Sequence, residues 1–192
     1  MSTTATTAPG KVITGLVRFS YLHAWHPVAI DEGGEAKYSA SLIIPKDDKE
    51  TLDKINAAIE SVKAVVKSKN AGKLPAKFKL PLRDGDEERP DDEAYANSYF
   101  LNANCKTKPG IVGPMKDKDG KWLPITNEDE LYSGCYGRAS ITFYAFDTKG
   151  NKGIACGLNN LQKIKDGEPL GGRSSADNDF SDDLTLEDDD LF

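Results

Sequence analysis

Five segments of the chain alternate apolar and polar residues with a period of two, which is typical of strands that bury one face. These segments are residues 11–22, 36–44, 98–107, 135–146 and 153–164. In the first, Val17, Phe19 and Tyr21 are expected to share one face, and Gly15 indicates a bend or bulge of the kind found at barrel corners. This pattern predicts an all-β chain rather than a doubly wound α/β fold.

One further segment has the period of an amphipathic helix. Its apolar stripe, at spacings of three and four residues, consists of Leu52, Ile55, Ile59, Val62 and Val66. Asp47 is expected to cap the N-terminus, with Glu50 completing a capping box, and the helix is expected to stop near residues 70–72.

Five strands and one helix fit a small β-barrel, and the OB-fold is the commonest barrel of this kind. We therefore predict an OB-fold-like five-stranded barrel over residues 11–170, with the helix after strand 2. Residues 1–10 are predicted to form a disordered arm and residues 171–192 a flexible acidic tail. Residues 73–93 are rich in proline and charge and are expected to form a long surface loop.

The charge of the chain is strongly segregated. Its formal net charge is -6, but eight of the 31 acidic residues lie between Asp177 and the end, where there is no basic residue. Residues 1–176 thus carry 25 basic and 23 acidic residues, a net charge of about +2. A mildly basic body with a detached acidic end indicates a basic working surface and an acidic segment that competes for it.

The cysteines and histidines give no sign of disulfide or metal chemistry. Cys105, Cys135 and Cys156 are widely spaced and odd in number, and we expect them to be buried apolar groups in a reducing compartment. His23 and His26 lack neighbouring ligands and make a weak zinc motif. With no apolar run of about 20 residues, we expect no membrane association and a cytoplasmic location.

Catalytic motifs are missing from the sequence. It has no phosphate-binding GxxxxGK[ST] motif, no GxGxxG motif and no GxSxG nucleophile elbow. Acidic runs at residues 84–88 and 127–130 could in principle serve a metal-dependent nuclease, but both lie in polar sequence without an apolar scaffold. The sequence therefore predicts a protein that is not an enzyme and needs no metal or cofactor.

Nucleic-acid binding is better supported. Single strands are held by basic residues that follow the phosphates and by aromatic rings that stack on the bases. The candidate contacts, on outward faces of predicted strands or in polar loops, are Arg18, Trp25, Lys37, Asn102, Lys106, Trp122, Arg138 and Tyr144. Ordinary roles stay open for each, because Tyr144 could cover the barrel, the two tryptophans could be lids on the core, and the lysines could be solvated.

The acidic end has the properties of a tethered competitor. A flexible coil of its length spans about 25 Å, against a body with a radius of gyration of about 15 Å, so it can reach a basic groove. Tethering gives it an effective concentration on the order of millimolar. Its last residues are predicted to bind a partner protein with a hydrophobic, basic pocket: Asp188, Asp189, Asp190, Leu191 and Phe192.

Several stretches together resemble a phage family of single-stranded-DNA-binding proteins. They are YSASLIIPKDD (38–48), YANSYFLNANCKTKPGIV (95–112), LYSGCYGRASITFYAFDTKGNKGIACGLNNLQKIKDGEPLGG (131–172) and the Phe-ended tail. The resemblance implies an OB-fold that binds single-stranded DNA without sequence preference during phage replication or recombination. It also implies that the tail recruits replication or recombination proteins. A homodimer is left open.

Two other functions compete with this interpretation. A DNA-mimic inhibitor would use the acidic tail to occupy a host enzyme's nucleic-acid site, and its body would have no affinity for DNA. A metal-dependent nuclease would cleave DNA, and a chelator would stop the cleavage. Binding of a single-stranded oligonucleotide by the body separates the first of these from the leading hypothesis.

Overall fold

The computed structural model describes residues 10–29 and 31–171. The strands in this part of the chain are β1 (Lys11–Ile13), β2 (Val17–Val28), β3 (Lys37–Pro45), β4 (Arg83–Asp84), β5 (Ser98–Cys105), β6 (Gly110–Lys116), β7 (Trp122–Pro124), β8 (Tyr136–Thr148) and β9 (Asn151–Lys165). The helices are α1 (Lys49–Lys69) and α2 (Gly85–Glu88), with single 3-10 turns at Glu93–Tyr95 and Glu128–Glu130. Except at Gly10 and Gly171, the predicted arm and tail lie outside the described residues.

Five of these strands close into a barrel. β2 pairs with β3 and β3 with β5, both antiparallel, and β5 then pairs in parallel with β9. β9 pairs antiparallel with β8, which returns to β2. These five correspond to the five predicted strands, and α1 follows the second of them in the chain. The predicted all-β, OB-fold-like barrel with one main helix is therefore confirmed.

Alternate residues of the barrel strands fill its interior. Leu42 and Ile44 of β3 and Leu101 of β5 are fully buried there, and α1 adds Ile55 and Ile59. Each such side chain contributes roughly 1.5–3 kcal/mol when it is fully removed from water. A second, smaller cluster lies on the outer side of the barrel and consists of Ile43, Tyr95 and Phe100.

The first predicted strand is divided in two. β1 and β2 are separated at residues 14–16, where the backbone N–H of Gly15 donates to Thr51 Oγ1 over 2.9 Å at the start of α1. A Cβ on Gly15 would lie only 2.8 Å from that oxygen, so glycine is required for this approach. The expectation that Tyr21 shares the face of Val17 and Phe19 is wrong, because a bulge in β2 exposes its side chain.

The helix begins one residue later than expected. Asp48, not Asp47, is its N-cap, and its carboxylate accepts a hydrogen bond from the backbone N–H of Thr51 over 3.1 Å. The predicted capping box is therefore wrong, and Glu50 instead pairs with Lys54 one turn further along. The predicted stripe is correct, since its first three residues are buried and its last two are half-buried.

The expected long surface loop, residues 73–93, is more structured than its composition indicates. It contains β4 and α2, and the backbone N–H of Lys79 donates to the carbonyl of Lys152 over 3.0 Å. Lys46 Nζ lies 2.8 Å from Asp84 and 2.7 Å from Asp86, and its hydrogen bonds lower the pKa of both carboxyls. Among the described residues, no helix is long and apolar enough to cross a membrane.

Candidate nucleic-acid interface

The outer side of β3 and β5 carries small and polar side chains. Because Ala103 is completely buried, its neighbours Asn102 and Asn104 point away from the barrel interior. Asn104 pairs with Ser39 of β3, which therefore lies on the same side, and Lys37 follows two residues away along β3. In an OB-fold, the face of the second and third strands is the usual site for oligonucleotides.

The same side continues across β9 to β8. Asn104 pairs with Gly157 of β9, and Gly157 pairs with Thr142 of β8. Two residues further along, Ala155 pairs with Tyr144. A Cβ on Gly157 would lie 3.6 Å from Cε1 of Tyr144, so the ring lies beside a position that has no side chain. Tyr144 is 45% exposed and is available to stack.

We call these eight residues the outward strip: Lys37, Ser39, Asn102, Asn104, Thr142, Tyr144, Ala155 and Gly157. The strip has a lysine at one edge and an aromatic ring at the other, and the residues between them are small or have short side chains. Such a surface can lie against a strand of nucleotides, with phosphates near the cation and a base on the ring. The structure thus brings together three predicted contacts, Lys37, Asn102 and Tyr144.

A groove of about 230 Å³ adjoins the lysine edge of the strip. Its walls include Asp31 and Glu35 from the β2–β3 connection, opposite Lys37. Lys106 Nζ lies 3.0 Å from Glu35, and both side chains are well exposed, so this ion pair contributes little stability. Lys106 therefore belongs to the same end of the barrel as Lys37, and an incoming phosphate could replace its carboxylate partner.

Trp25 is held by the fold near this end. The prediction that it lies in a loop is wrong, because β2 continues to Val28. Its ring packs against the core, and Nε1 donates to the carbonyl oxygen of Leu131 over 3.0 Å. Lys108 Nζ lies 5.1 Å from the centre of the ring. Trp25 therefore covers the core, which is its ordinary structural role. Lys108 is the cation that lies over its ring.

Arg18 and Arg138 lie elsewhere. Arg18 donates from Nε to the carbonyl of Gly134 over 3.1 Å and from Nη2 to the carbonyl of Glu168 over 2.7 Å. Arg138 is exposed, and its Nε donates to the carbonyl of Thr14 over 3.1 Å. It lies six residues before Tyr144 on β8, which corresponds to about 20 Å along a strand. The structure does not bring either arginine together with the lysine edge of the strip.

Trp122 lies on a separate hairpin. The prediction that it lies in a loop is wrong, because it begins β7. β6 and β7 pair antiparallel, and Lys116 is directly opposite Trp122 in the register. Lys116 Nζ lies 4.4 Å from the centre of the ring, which is 44% exposed. Met115 and Leu123 are exposed on the same hairpin. This hairpin is a second cation–aromatic surface, distinct from the outward strip.

Sequence reasoning missed Lys108 and Arg89. Lys108 follows Lys106 by two residues, and this spacing after a strand could have identified it. Arg89 gave no signal, because it lies in a charged loop and meets its aromatic partners only in the folded chain. Its guanidinium lies 4.8 Å from the ring centre of Tyr95 and 5.1 Å from that of Phe100.

Two of the three cysteines are buried, as the sequence predicts, but the expectation is wrong for Cys105. Cys135 and Cys156 are buried, and burial raises the pKa of both thiols. Cys105 is half-buried and donates from Sγ to the carbonyl of Thr107 over 3.0 Å. His26 pairs with Glu128 over 2.9 Å. Within residues 10–29 and 31–171, no three His, Cys, Asp or Glu side chains are grouped so that they could hold a metal ion.

A family model matches nearly the whole chain. The family model described as the ssDNA-binding protein of Enterobacter phage Enc34 matches residues 10–192. A putative protein p50 of Acyrthosiphon pisum secondary endosymbiont phage 1 is 31% identical over 185 residues, covering 92% of this chain and 95% of that protein.

Solved structures are also similar to the chain. The single-stranded DNA-binding protein of bacteriophage Enc34 in complex with ssDNA is 30% identical with a TM-score of 0.69, over 84% of this chain and 90% of that one. The single-stranded DNA-binding protein gp2.5 of bacteriophage T7 is 13% identical with a TM-score of 0.58, over 88% of this chain and 99% of that one. The second likeness concerns the fold alone.

Proposed function

The chain belongs to the family of the single-stranded-DNA-binding protein of Enterobacter phage Enc34, and on that premise we propose that it binds single-stranded DNA without sequence preference. Members of such a family bind and do not catalyse, in keeping with the prediction that the chain is not an enzyme. The observation that supports the proposal most directly is the outward strip, on the barrel face that OB-folds use for oligonucleotides.

In this proposal the strip supplies the two kinds of contact that a single strand needs. Tyr144 offers a ring for one base, and stacking of this kind is worth roughly 1–3 kcal/mol per base. Lys37 and Lys106 attract phosphates at the opposite edge, and Lys108 extends the basic surface beside Trp25. Neither type of contact distinguishes one base from another, because every base has an aromatic face and every nucleotide a phosphate.

Titration with poly(dT) at several salt concentrations tests the proposal. If the body neutralises about five phosphates, the slope of log affinity against log salt should be near -3.5 for a single strand. Fluorescence of Trp25 and Trp122 reports binding. A slope near zero would contradict the phosphate contacts. No binding by residues 1–176 would instead favour the DNA-mimic inhibitor.

We further propose that binding serves phage DNA replication or recombination in the host cytoplasm, with the acidic end acting in two ways. Its carboxylates compete with DNA for the basic surface, and its last residues, Asp188–Phe192, recruit replication or recombination proteins. Charge segregation in the sequence supports the first role, and the apolar pair Leu191 and Phe192 beside the acidic run supports the second. Assembly as a homodimer stays a prediction.

Truncation separates the two roles. Deleting residues 177–192 should tighten binding of poly(dT) several-fold at low salt and abolish retention of the cognate replication proteins. Deleting only Leu191 and Phe192 keeps the acidic run, so it should abolish retention and leave DNA affinity unchanged. Changing Asp188, Asp189 and Asp190 to Asn should weaken both roles, because these carboxylates belong to the acidic run and also to the residues that recruit the partner. If neither property changes in the long deletion, the acidic end has neither role.

A further inference from the structure

Tyr21 occupies an unusual position on β2. The register of β2 against β3 shifts between Ser20 and His23, and Tyr21 lies in this bulge with a φ of +43°. A bulky residue rarely adopts such a backbone, which costs of order 1–3 kcal/mol and is concentrated at binding sites and ligand clamps. The ring is nevertheless 56% exposed, so burial of the ring does not explain the strained conformation.

Arg89 lies against this ring. Its guanidinium carbon is 5.2 Å from the ring centre of Tyr21, and Nη1 donates to the Tyr21 hydroxyl over 3.4 Å. The rings of Tyr95 and Phe100 lie at similar distances, 4.8 and 5.1 Å. No carboxylate of the described chain is in ion-pair contact with Arg89. Three rings thus fix the orientation of a cation whose charge is available to an anion.

A cavity of about 420 Å³ lies beside Tyr21. Its lining residues are Ser20, Tyr21, Leu22, His23, Asp92, Ser133, Leu170 and Gly171. This volume is within the range of roughly 300–1,000 Å³ that small-molecule sites occupy. The walls combine apolar surface with hydroxyl, imidazole and carboxylate groups, which can satisfy the polar edge of a planar heterocycle whose face is stacked.

The cavity adjoins the outward strip. Two of its lining residues pair across the β2–β3 ladder, Ser20 with Ser41 and His23 with Ser39. Ser39 belongs to the strip, and paired strands lie about 4.8 Å apart. A strand of DNA that crosses β5 and β3 would therefore meet the cavity on β2 next.

We propose that this cavity receives one base of the bound strand, stacked on Tyr21, while Arg89 holds an adjoining phosphate. The inference rests on the proposed function and adds to it a nucleobase site on β2. Tyr21 is then the second stacking ring after Tyr144, and the bulge is the device that turns it outward. The strained backbone is maintained because binding uses the exposed ring.

The test compares two ligands of equal charge. Tyr21→Leu should weaken binding of an oligo(dT) by roughly 5- to 150-fold, the range expected for one stacked base. It should leave binding of an abasic deoxyribose-phosphate oligomer of the same length unchanged, because that ligand has no base to stack. Tyr21→Phe, the matched control, keeps the ring and should stay within about threefold of wild type on both ligands.

Two further measurements complete the test. Arg89→Gln should make the salt slope shallower by about 0.7 on both ligands. Photocrosslinking of wild-type protein to an oligonucleotide containing 5-iodouracil should modify Tyr21 itself, which covers the case in which Tyr21→Leu fails to fold. Equal losses on both ligands, no loss on oligo(dT), or no crosslink at Tyr21 would each overturn the site. Failure of wild-type protein to bind oligo(dT) at all would reject the proposed function, and the base site with it.

Discussion

Arg18 and Lys37 are both basic residues on the outer side of the barrel, but the structure uses them differently. The guanidinium of Arg18 donates to two backbone carbonyls, those of Gly134 and Glu168. Lys37 forms no ion pair with any residue of the described chain and lies at the edge of a groove. The comparison teaches that the role of a cation follows from what its donors already contact. Arg18 joins distant parts of the chain, and Lys37 is available to a ligand.

The largest effect is expected from removing the hydrogen bonds of Arg18. Arg18→Met should lower the free energy of unfolding by roughly 1–3 kcal/mol, because two carbonyls lose a charged donor. Urea unfolding measures this change. Arg18→Lys is the control, because it keeps the positive charge while a single ammonium cannot reproduce the two hydrogen bonds of the guanidinium. It therefore separates the effect of the hydrogen bonds from the effect of charge. If Arg18→Met leaves stability unchanged but makes the salt slope of DNA binding shallower, the comparison fails and Arg18 is a DNA contact.

A smaller effect is expected at Lys37. Lys37→Gln should make the salt slope of poly(dT) binding shallower by about 0.7, the share of one phosphate contact, and leave unfolding unchanged. Lys54→Gln is the matched control, because Lys54 lies on α1 and pairs with Glu50 over 2.9 Å. An equal change of slope in both variants would show that only total charge matters and that the strip has no special role.

The smallest effect concerns Lys46, which is held by Asp84 and Asp86. Its hydrogen bonds lower the pKa of both carboxyls, so the folded chain binds fewer protons than the unfolded one. The resulting stabilisation is present above the unfolded pKa of about 4 and is lost as pH falls through the lowered values. The stability difference between wild type and Lys46→Met should therefore shrink as pH falls below about 4. A stability difference that does not depend on pH would contradict the assignment of this stabilisation to ionised Asp84 and Asp86.

The barrel could be predicted because burial of one face imposes alternation. Leu101 and Ala103 point inward and Asn102 and Asn104 outward, and the sequence alone shows this pattern. The bulge at Tyr21 could not be predicted, since a single inserted residue reverses the faces without changing composition. β1, β4 and β7 have only two or three residues each, which is too short for a period to be recognised.

The candidate site was predictable only in part, for a related reason. Strand alternation identified Lys37, Asn102 and Tyr144, which share one side of the barrel. It could not reveal that Arg18 is bound to carbonyls 116 and 150 positions away in the chain. Contacts between residues so distant in sequence depend on the closure of the barrel, which leaves no local pattern.

Leu170 is held against the barrel, which fixes where the described part of the chain ends. Its backbone N–H donates to the carbonyl of Ser133 over 2.9 Å, and its side chain packs beside the cluster of Ile43, Tyr95 and Phe100. The described chain therefore ends beside the Tyr21 cavity, which Leu170 and Gly171 line. Any segment of n residues that continues from this point reaches at most about 3.3–3.6 Å × n from the cavity.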